Sequence, residues 1–594
     1  MINKNFLKLK RLVVFYITEV IKKKIDNKTI NKITLHLYRS DFIVVLFINF
    51  FLIIVEILCW VTGMQPSNQI SEKKYTKAIK ISNLFFFFKN KVFELISSIY
   101  LINQKNEVCN FQKTTKKNIV KNGEIFDFIV VGSGPSGSIT AYVLAKNKFK
   151  VLLVEEGLWT KNFQKKHPAE EFYHKWRNAG ISSTLLPFQI SYASGKCFGG
   201  GSEINSGLYH SPPNFFINNI RKKYKIENFS EKIISKSENW VKKELNLKKD
   251  RKKIKGCNSI FIEGAKKNNF KYEKILRLVS YLKNGFVQKK SMSNTLLKKF
   301  INYKNSRYLV GRKVVSLCKN NEYWDVVVKQ RIFQFNYQAK NLILCCGALE
   351  TSKLLIANKI IPKKKNSFKF YFHPMIKLIV KFKKKIISSR DPEDIHPFQI
   401  TQFLPNYLFG KASSGKNLMQ LSAYGDSYLT KDIEINYKKM SSYHITYSFG
   451  EGKIFKIPFS KKFIYFYKIP SLNLKVIKES LINFCRIFLN SKTSLIYITG
   501  KKAKIVNLKN YIQQIKQIKS INEFKFSSVH IMGGIPFGEN KKECLANSYG
   551  KIYGYDNLYV NDGSLINDKL LKNPQGTIMT LAKRNIDLII NNMK

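Results

Sequence analysis

The chain has 594 residues and a mass of 69.1 kDa, a length typical of roughly two to four domains. Hydrophobic residues make up 44% of it and charged residues 24%, a balance that excludes wholesale disorder and a fibrous repeat. The formal net charge of +64 suggests a nucleic-acid-binding protein, but only twelve of the 103 basic residues are Arg, the side chain that bidentate phosphate and base contacts favour. The excess Lys accompanies an excess of Asn, Ile, Phe and Tyr, all encoded by AT-rich codons, so we expect no nucleic-acid partner.

The nine cysteines indicate neither a disulfide framework nor a metal site. They form no CxxC pair and show no metal-ligand spacing. We therefore expect reduced, mostly buried thiols and no bound metal ion.

Residues 1–124 are predicted to form a helical N-terminal extension around one apolar run. The run, Phe42 to Met64, holds 23 residues with Glu56 as its one charge, and it is long enough to span a bilayer. A carboxylate near the middle of a spanning helix is costly in lipid, so a buried or interfacial helix is equally compatible with the sequence. A further helix within 74–104 and a polar linker over 105–124 complete the extension. We expect a membrane-associated protein, or otherwise a cytoplasmic one.

A dinucleotide-binding fingerprint follows the linker. An apolar strand over 126–131 leads into the sequence GSGPSG, then into a helix that continues through 147 and a second strand over 150–154 that ends at Glu155. The three glycines, Gly132, Gly134 and Gly137, have the G-x-G-x-x-G spacing. The combination of two strands, a helix and a terminal acid is far more specific than the glycines alone, and it predicts a bound dinucleotide.

Each position of the fingerprint has a physical reason. Gly132 allows the tight turn, Gly134 lets the backbone approach a pyrophosphate, and Gly137 lets the helix pack closely on the strand. Ser136 lies in the first turn of the helix, where backbone N–H groups and the helix dipole favour phosphate. Glu155 is placed to accept hydrogen bonds from ribose hydroxyls, which disfavours NADP and leaves FAD and NAD open.

Further motifs follow in a fixed order along the chain. They are GKCFGGGSEINSGLYHSPP at 195–213, QKKSMSNTLL at 288–297, AKNLILCCGALETSKLL at 339–355, SSVHIMGGIPFGE at 527–539, NLYVNDGSL at 557–565 and NPQGTIMTLAKRNIDLI at 573–589. Together with the fingerprint they resemble the glucose–methanol–choline (GMC) oxidoreductase family, and within it the long-chain alcohol oxidase or dehydrogenase-like branch. The resemblance covers about residues 125–594.

The resemblance implies an α/β fold with a Rossmann-like FAD-binding domain and a substrate domain built on a mixed or antiparallel sheet. The FAD-binding domain is expected over 125–365, with a helical insertion at 222–306, and the substrate domain over 366–504. Residues 505–594 are expected to complete the FAD domain and to carry the catalytic His and Asn.

The resemblance also implies that the dinucleotide is FAD. It is expected to bind noncovalently, because Ile204 stands where one branch of the family has a flavin-linked His. The adjacent Cys345 and Cys346 are interpreted as core residues of a strand and not as redox centres. Beyond the fingerprint, the residues expected to contact FAD are Gly199, Gly200, Asn205, Val314, Asp562, Gly563 and Thr577.

The catalytic residues that the resemblance implies are His530 and Asn573. His530 matches the family's base, which takes the hydroxyl proton of an alcohol while hydride passes to the flavin. Asn573 matches the second catalytic position, where an amide can hydrogen-bond the substrate oxygen. The motif after His530 departs from the family pattern, since Gly534, Ile535 and Phe537 replace its Ser/Thr, Cys and Met.

The expected reaction is oxidation of an alcohol, with an apolar or long-chain alcohol favoured by the branch resemblance and the apolar N-terminal run. The electron acceptor stays open between oxygen, a quinone and a cytochrome. Two alternatives remain: a lyase that keeps FAD without redox turnover, and a membrane-associated protein whose FAD fold has lost activity.

Overall fold

The structure is a computed structural model. It describes residues 4–593 except for 21–24, 68, 83–91, 94, 97–98, 100–119, 160–167, 186–189, 248–254, 282–286, 361–367, 389–397, 424–425, 490, 501 and 569. Most of the helix predicted within 74–104 and most of the linker predicted over 105–124 therefore lie outside the described residues.

The N-terminal region is helical, as predicted. Helix α3 contains the apolar run, and it is the one described helix that is long and apolar enough to cross a membrane. Its buried face packs into a hydrophobic cluster that includes residues of α1, α2 and α4. The helices are α1 (Lys4–Phe15), α2 (Asn27–Tyr38), α3 (Phe42–Gly63) and α4 (Glu72–Ile81).

The central part of the chain, as far as residue 357, alternates strands and helices. Its first unit is the predicted strand, glycine turn, helix and strand. The elements are β1 (Ile125–Val131), α5 (Pro135–Lys146), β2 (Val151–Glu155), α6 (Pro168–Lys175), β3 (Ser182–Ser183), β4 (Ile190–Tyr192), β5 (Leu208–Tyr209), α7 (Asn214–Tyr224), α8 (Glu231–Glu244), α9 (Cys257–Lys267), β6 (Tyr272–Lys274), β7 (Leu276–Arg277), β8 (Val279–Tyr281), β9 (Val287–Lys289), α10 (Leu296–Phe300), β10 (Ser306–Val310), β11 (Lys313–Lys319), β12 (Trp324–Gln330), β13 (Phe333–Leu344) and α11 (Ala348–Ala357).

The remainder of the chain is rich in strands and ends in a long helix. The elements are β14 (Phe368–Phe372), β15 (Met375–Phe382), β16 (Phe398–Ile400), β17 (Tyr407–Lys411), α12 (Lys416–Ser422), α13 (Ser427–Asn436), β18 (Met440–Tyr447), β19 (Glu451–Lys456), β20 (Phe463–Lys468), α14 (Asn473–Arg486), β21 (Thr493–Ile498), β22 (Lys504–Val506), α15 (Tyr511–Lys516), β23 (Phe526–Ser528), β24 (Ile531–Gly533), β25 (Leu558–Val560) and α16 (Gln575–Asn591).

A parallel sheet forms the nucleotide-binding half. Its order is β10-β2-β1-β13-β25, and β13 continues into an antiparallel pairing with β12, which pairs with β11. The strands β1 and β2 are almost wholly buried, which accounts for their continuous apolar sequences. Because β1, β2, β13 and β25 end in register at one edge of the sheet, the loops that follow them meet there.

Mostly antiparallel strands form the other half. In the larger sheet β15 pairs with β18, β21 and β23, and β17 and β16 extend the sheet beyond β18. A smaller sheet has the order β20-β19-β14-β24. The last segment contributes to both halves, since β23 and β24 join the antiparallel sheets while β25 joins the parallel one.

Two sequence-based expectations need correction. Residues 222–306 contain the expected helices but also four short strands, of which β6 and β7 pair with β16 and β5. Those partners lie outside the segment, so its own periodicity could not reveal them. The run YLVGRKVVSL at 308–317 predicts one strand from its apolar residues, but it contributes to two strands, because Gly311 turns the chain between them with a φ of +72°.

Candidate active site

A cavity of about 2070 Å³ lies at the edge where the parallel strands end. Loops of the parallel sheet line one side, and residues of β15 and β18 line the other. We call these two sides the nucleotide wall and the substrate wall. The nucleotide wall comprises the lining residues of 131–156, 200–205, 312–315, 345–350 and 562–563, and the substrate wall comprises those of 373–465.

The glycines of the fingerprint shape the nucleotide wall. Gly132 has a φ of +100°, and a β-carbon there would lie 2.3 Å from the carbonyl oxygen of Cys345. A β-carbon on Gly137 would lie 1.9 Å from the carbonyl oxygen of Gly132, so this glycine lets the helix pack on the turn. Gly134 differs from both, because a β-carbon there would meet nothing within 4 Å. The space in front of Gly134 is therefore open to a ligand.

A second glycine loop closes over the first. Gly200 has a φ of +56°, and a β-carbon on it would lie 2.7 Å from the Cα of Gly134. Gly199 does not line the cavity, but its N–H donates to the Ser133 hydroxyl at 3.0 Å and so ties the two loops together. The close approach to Gly134 explains why residue 200 is glycine.

Glu155 is buried at the end of β2. Its carboxylate accepts hydrogen bonds from the Ser133 N–H at 3.0 Å, the Ser133 hydroxyl at 2.7 Å and the Gly157 N–H at 2.7 Å. Burial raises its pKa, an effect that these hydrogen bonds oppose. A carboxylate has about four acceptor positions, so one remains for a ribose hydroxyl at the cavity surface.

Asp562 also lines the cavity, but its carboxylate is occupied by the protein. It accepts from the Gly347 N–H at 2.8 Å, the Thr351 hydroxyl at 2.6 Å and the Ser564 N–H at 2.8 Å. The side chain therefore holds the turns after β13 and β25 together. The next residue, Gly563, has no side chain, so its main chain lines the cavity directly.

The start of α16 faces the cavity and carries unsatisfied polar atoms. Among the described residues, the hydroxyl of Thr577 and the Nε2 of Gln575 are buried without a hydrogen-bond partner. Gln575 lines the cavity and accepts a hydrogen bond from Asn205, whereas Thr577 lies behind the cavity surface. A helix N-terminus with two spare polar groups suits an anionic or carbonyl-bearing ligand.

These features fit the FAD that the resemblance implies. The open Gly134 turn, Ser136 and the Gly200 loop would hold the pyrophosphate, and Glu155 the ribose. Val314 lines the same wall from β11, and Ile204 occupies its position without a nucleophilic atom, in keeping with noncovalent binding. Burial raises the pKa of the Cys345 and Cys346 thiols, which keeps them protonated.

His530 lies in the cavity at the junction of the two walls. Its Nδ1 is 3.0 Å from the Nδ1 of His373, and the two rings meet edge to face. Part of the His530 surface opens to the cavity, yet it lies deep enough that burial, with a smaller effect of His444, lowers its pKa to about 3. His530 is therefore neutral at pH 7, and one of its ring nitrogens carries a lone pair.

Asn573 lines the same cavity as His530. Its Oδ1 accepts a hydrogen bond from Gln399 at 3.4 Å, which leaves the Asn573 amide group free to donate among the described residues. The structure thus brings the two predicted catalytic residues and nine of the twelve predicted cofactor-binding residues to one cavity, whereas Gly137, Gly199 and Thr577 do not line it.

His373 and His210 are two further histidines near His530 that the sequence analysis did not single out. The structure places His373 against His530, with its Nε2 buried and without a partner in the described part of the chain. Burial is the largest cause that lowers the pKa of both histidines, to about 3 for His210 and well below 6.5 for His373. The His373-Pro374 pair was a visible signal, but nothing in the sequence joined it to His530.

Comparison with known proteins identifies the family. Two GMC oxidoreductase profiles match residues 126–365 and 481–582, which together are more than half of the chain. An uncharacterized GMC-type oxidoreductase of Sinorhizobium fredii is 25% identical over 489 residues, 77% of this chain and 93% of that relative. An uncharacterized GMC-type oxidoreductase of Mycobacterium tuberculosis H37Rv is 34% identical over 88 residues, 14% of each chain.

The fold agrees with this assignment. The crystal structure of pyridoxine 4-oxidase from Mesorbium loti matches with a TM-score of 0.60 at 13% identity, covering 78% of this chain and 99% of that one. The predicted α/β fold and the predicted FAD are thereby confirmed. The chain belongs to the GMC oxidoreductase family, and it is an FAD-dependent oxidoreductase of alcohol-type substrates.

Proposed function

We propose that His530 is the base that removes the hydroxyl proton of an alcohol, and that Asn573 holds the substrate oxygen. The observation that carries the proposal is the shared cavity, in which a neutral His530 lies with Asn573 and the nucleotide wall. Bound FAD supplies the hydride acceptor. The protein's own contribution is to orient the hydroxyl, exclude water and hold the proton.

The histidine pair fixes which nitrogen acts. A hydrogen bond between two Nδ1 atoms needs one N–H and one lone pair. If His530 donates, its Nε2 is left with the lone pair that a base requires. His373 then accepts at Nδ1 and carries its own hydrogen on Nε2, the atom without a partner among the described residues. His373 is in this proposal a positioning residue that selects the reactive tautomer of His530.

An anaerobic mixing experiment tests the reaction class. Purified holoenzyme is mixed without oxygen with aliphatic alcohols, sterols, hydroxy acids, sugars and amino alcohols while flavin absorbance is followed. Bleaching by an alcohol supports the proposal. An oxidised flavin that persists with every alcohol while a bond-cleavage product accumulates supports the lyase alternative, and a colourless protein without flavin supports the inactive one.

The domain boundaries, the substrate class and the electron acceptor are further parts of the proposal. We propose residues 125–365 and 505–594 as the FAD-binding unit and 366–504 as the substrate unit. The sequence favoured an apolar alcohol, but the lysines and histidines of the substrate wall do not favour a wholly apolar one. Oxygen, a quinone and a cytochrome remain candidate electron acceptors.

We also propose that α3 lies flat on a membrane surface. Its outer face presents a continuous apolar stripe in which Val61 is 75% and Met64 82% exposed. The opposite face is packed on protein, and Glu56 is held by Lys8 at 3.1 Å, so an in-plane position suits the helix better than a spanning one. The stripe consists of Leu46, Phe50, Ile53, Ile57, Trp60, Val61 and Met64.

Vesicle co-sedimentation tests the membrane proposal. An Ile53→Lys/Ile57→Lys double variant should lose binding to vesicles of neutral and anionic phospholipid, whereas Ile332→Lys, an exposed apolar position on the sheet side, should keep it. Equal binding by all three proteins would contradict the proposal. Conversion of a dimer to a monomer by the double variant, without vesicle binding by the parent protein, would assign the stripe to a second copy.

A further inference from the structure

The charged side chains of the substrate wall that line the cavity are all lysines among the described residues. Six lysines from this segment line the cavity, and no aspartate or glutamate among its described residues does so. The acids of the cavity belong instead to the nucleotide wall and the N-terminal part of the chain. The six lysines are Lys377, Lys411, Lys416, Lys456, Lys461 and Lys462.

Lys377 differs from the lysines whose contacts are defined. The ammonium of Lys411 donates to the hydroxyls of Ser388 at 3.0 Å and Ser441 at 2.7 Å, and Lys416 pairs with Glu434. Lys377 has neither an ion pair nor a side-chain hydrogen bond to any described residue. Burial lowers its pKa, and its side chain lines the cavity with part of its surface accessible.

The residues around Lys377 are held in place by contacts with one another. Lys377 on β15 is directly opposite His444 on β18, whose Nδ1 is 2.8 Å from the Thr446 hydroxyl. The ring of His444 occupies the place of a side chain on Gly410, where a β-carbon would lie 2.4 Å from its Nε2. The charge of Lys377 helps to lower the pKa of His444, and His444 does the same to His530. The three groups therefore lie within electrostatic reach of one another.

A lysine-rich composition does not account for this position. Codon bias adds lysines where they cost little, on the solvent-exposed surface. Lys377 is only partly exposed and lines the cavity, where an ammonium without a counter-ion loses hydration that no protein group replaces. An anion that enters the cavity supplies the missing partner.

We propose that the substrate alcohol carries an anionic group, a carboxylate or a phosphate, which binds the ammonium of Lys377 beside His444 and Thr446. The proposal rests on the proposed function, because it uses the cavity that contains His530. The anion places the carbinol end of the molecule toward His530 and Asn573, so Lys377 determines specificity and takes no part in proton transfer. The phosphates of the cofactor are accounted for by the glycines of the nucleotide wall, and Lys377 is not needed for them.

A binding titration tests the proposal without requiring turnover. Holoenzyme is titrated with butanoate, butyl phosphate, butanamide and butylammonium, none of which can be oxidised as an alcohol, while the visible flavin spectrum is followed. We expect the better of the two anions to bind about 10- to 100-fold more tightly than butanamide, the difference that a charge-assisted hydrogen bond supplies. The ratio between butanoate and butyl phosphate distinguishes the two kinds of anion.

Three variants sharpen the result. Lys377→Met keeps the length of the side chain and should abolish the preference for the anion, whereas Lys377→Arg should retain most of it. Lys369→Met, on β14 and paired with Glu451 outside the cavity, is the matched control and should behave as the parent protein. FAD content and melting temperature show that each variant is folded.

These measurements distinguish the role of Lys377 in anion binding from the proposed oxidation of an alcohol with His530 as base. Equal affinity for butanoate, butyl phosphate and butanamide, or an anion preference that survives Lys377→Met, would overturn the role of Lys377. An anion preference that depends on Lys377 supports it even if no alcohol bleaches the flavin, in which case the proposed function fails by itself. Rapid bleaching by neutral alcohols without any anion preference would leave the proposed function standing and remove the anionic substrate.

Discussion

The nucleotide wall and the substrate wall face the same cavity but are built in opposite ways. On the nucleotide wall the carboxylates of Glu155 and Asp562 accept three or more hydrogen bonds each, and Arg177, which also lines the cavity, bridges Glu156 and Glu350. On the substrate wall Lys377 has none among the described residues. The comparison indicates how the two ligands are bound. The cofactor is held by backbone shape and by charges that already have protein partners, whereas the substrate is selected by the charge of Lys377, which has none among the described residues.

The largest effect is expected where the two walls meet. Replacing His530 by Ala should slow anaerobic flavin reduction by about 10² to 10⁴, the usual contribution of a positioned base. The measurement is stopped-flow absorbance with the best alcohol of the screen. FAD content should match that of the parent protein, and an unchanged rate in a fully loaded variant would remove His530 from the mechanism.

The difference in charge pairing predicts opposite effects on stability. Arg177→Met removes the cation that the partly buried carboxylates of Glu156 and Glu350 share, which should cost about 1–3 kcal/mol and lower the melting temperature. Lys377→Met removes a charge that has no partner to lose, so the melting temperature should stay the same or rise. Thermal melts of both apo variants make the comparison, and a larger loss for Lys377→Met would contradict it.

Two glycines of the nucleotide wall have different roles. One is required by the protein's own packing, and the other leaves space for the ligand. Gly132→Ala places a β-carbon against the Cys345 carbonyl at a positive φ, so it should destabilise the apo protein by about 1–3 kcal/mol. Gly134→Ala meets no protein atom within 4 Å and should leave the apo protein unchanged, yet weaken FAD binding by roughly tenfold or more. Melting of the apo proteins and fluorescence titration with FAD distinguish the two, and a destabilised Gly134→Ala apo protein would refute the open space in front of Gly134.

The smallest expected effect concerns how the rate of flavin reduction depends on pH. Because burial lowers the pKa of His530 to about 3, the neutral form that accepts a proton persists as the pH falls from 8 to 5. Its loss is expected only as the pH falls further, toward 3. The rate of flavin reduction at saturating alcohol should therefore show no acid limb near 6.5, and a midpoint near that value would place His530 in a more hydrated site than its burial indicates.

The nucleotide wall could be predicted because its signal is local. The strand expected over 126–131 is Ile125–Val131, and the helix expected to continue through 147 is Pro135–Lys146. One contiguous segment contains the turn, the helix and Glu155, so spacing alone specifies the geometry. His530 and Asn573 needed the family resemblance, since nothing near them in the sequence marks a catalytic role.

The substrate wall could not be predicted because strand pairing creates it. Lys377, in the run MIKLIVKF, reads as an ordinary strand lysine, and its meaning depends on His444 from a distant strand and on the side chain that Gly410 lacks. The contact between His373 and His530 has the same origin, because β14 pairs with β24 through Phe370 and Gly533. Pairing of this kind is set by tertiary packing and leaves no periodic trace.

The distribution of the last segment has a consequence for biosynthesis. Strands β23 and β24 complete the antiparallel sheets, β25 completes the parallel sheet, and Gln575 and Ile578 of α16 line the cavity. A ribosome must therefore release these elements, of which α16 ends at Asn591, before both sheets and the cavity lining are complete. Cofactor loading is on this account a post-translational event, and a nascent polypeptide that stalls earlier is colourless and inert.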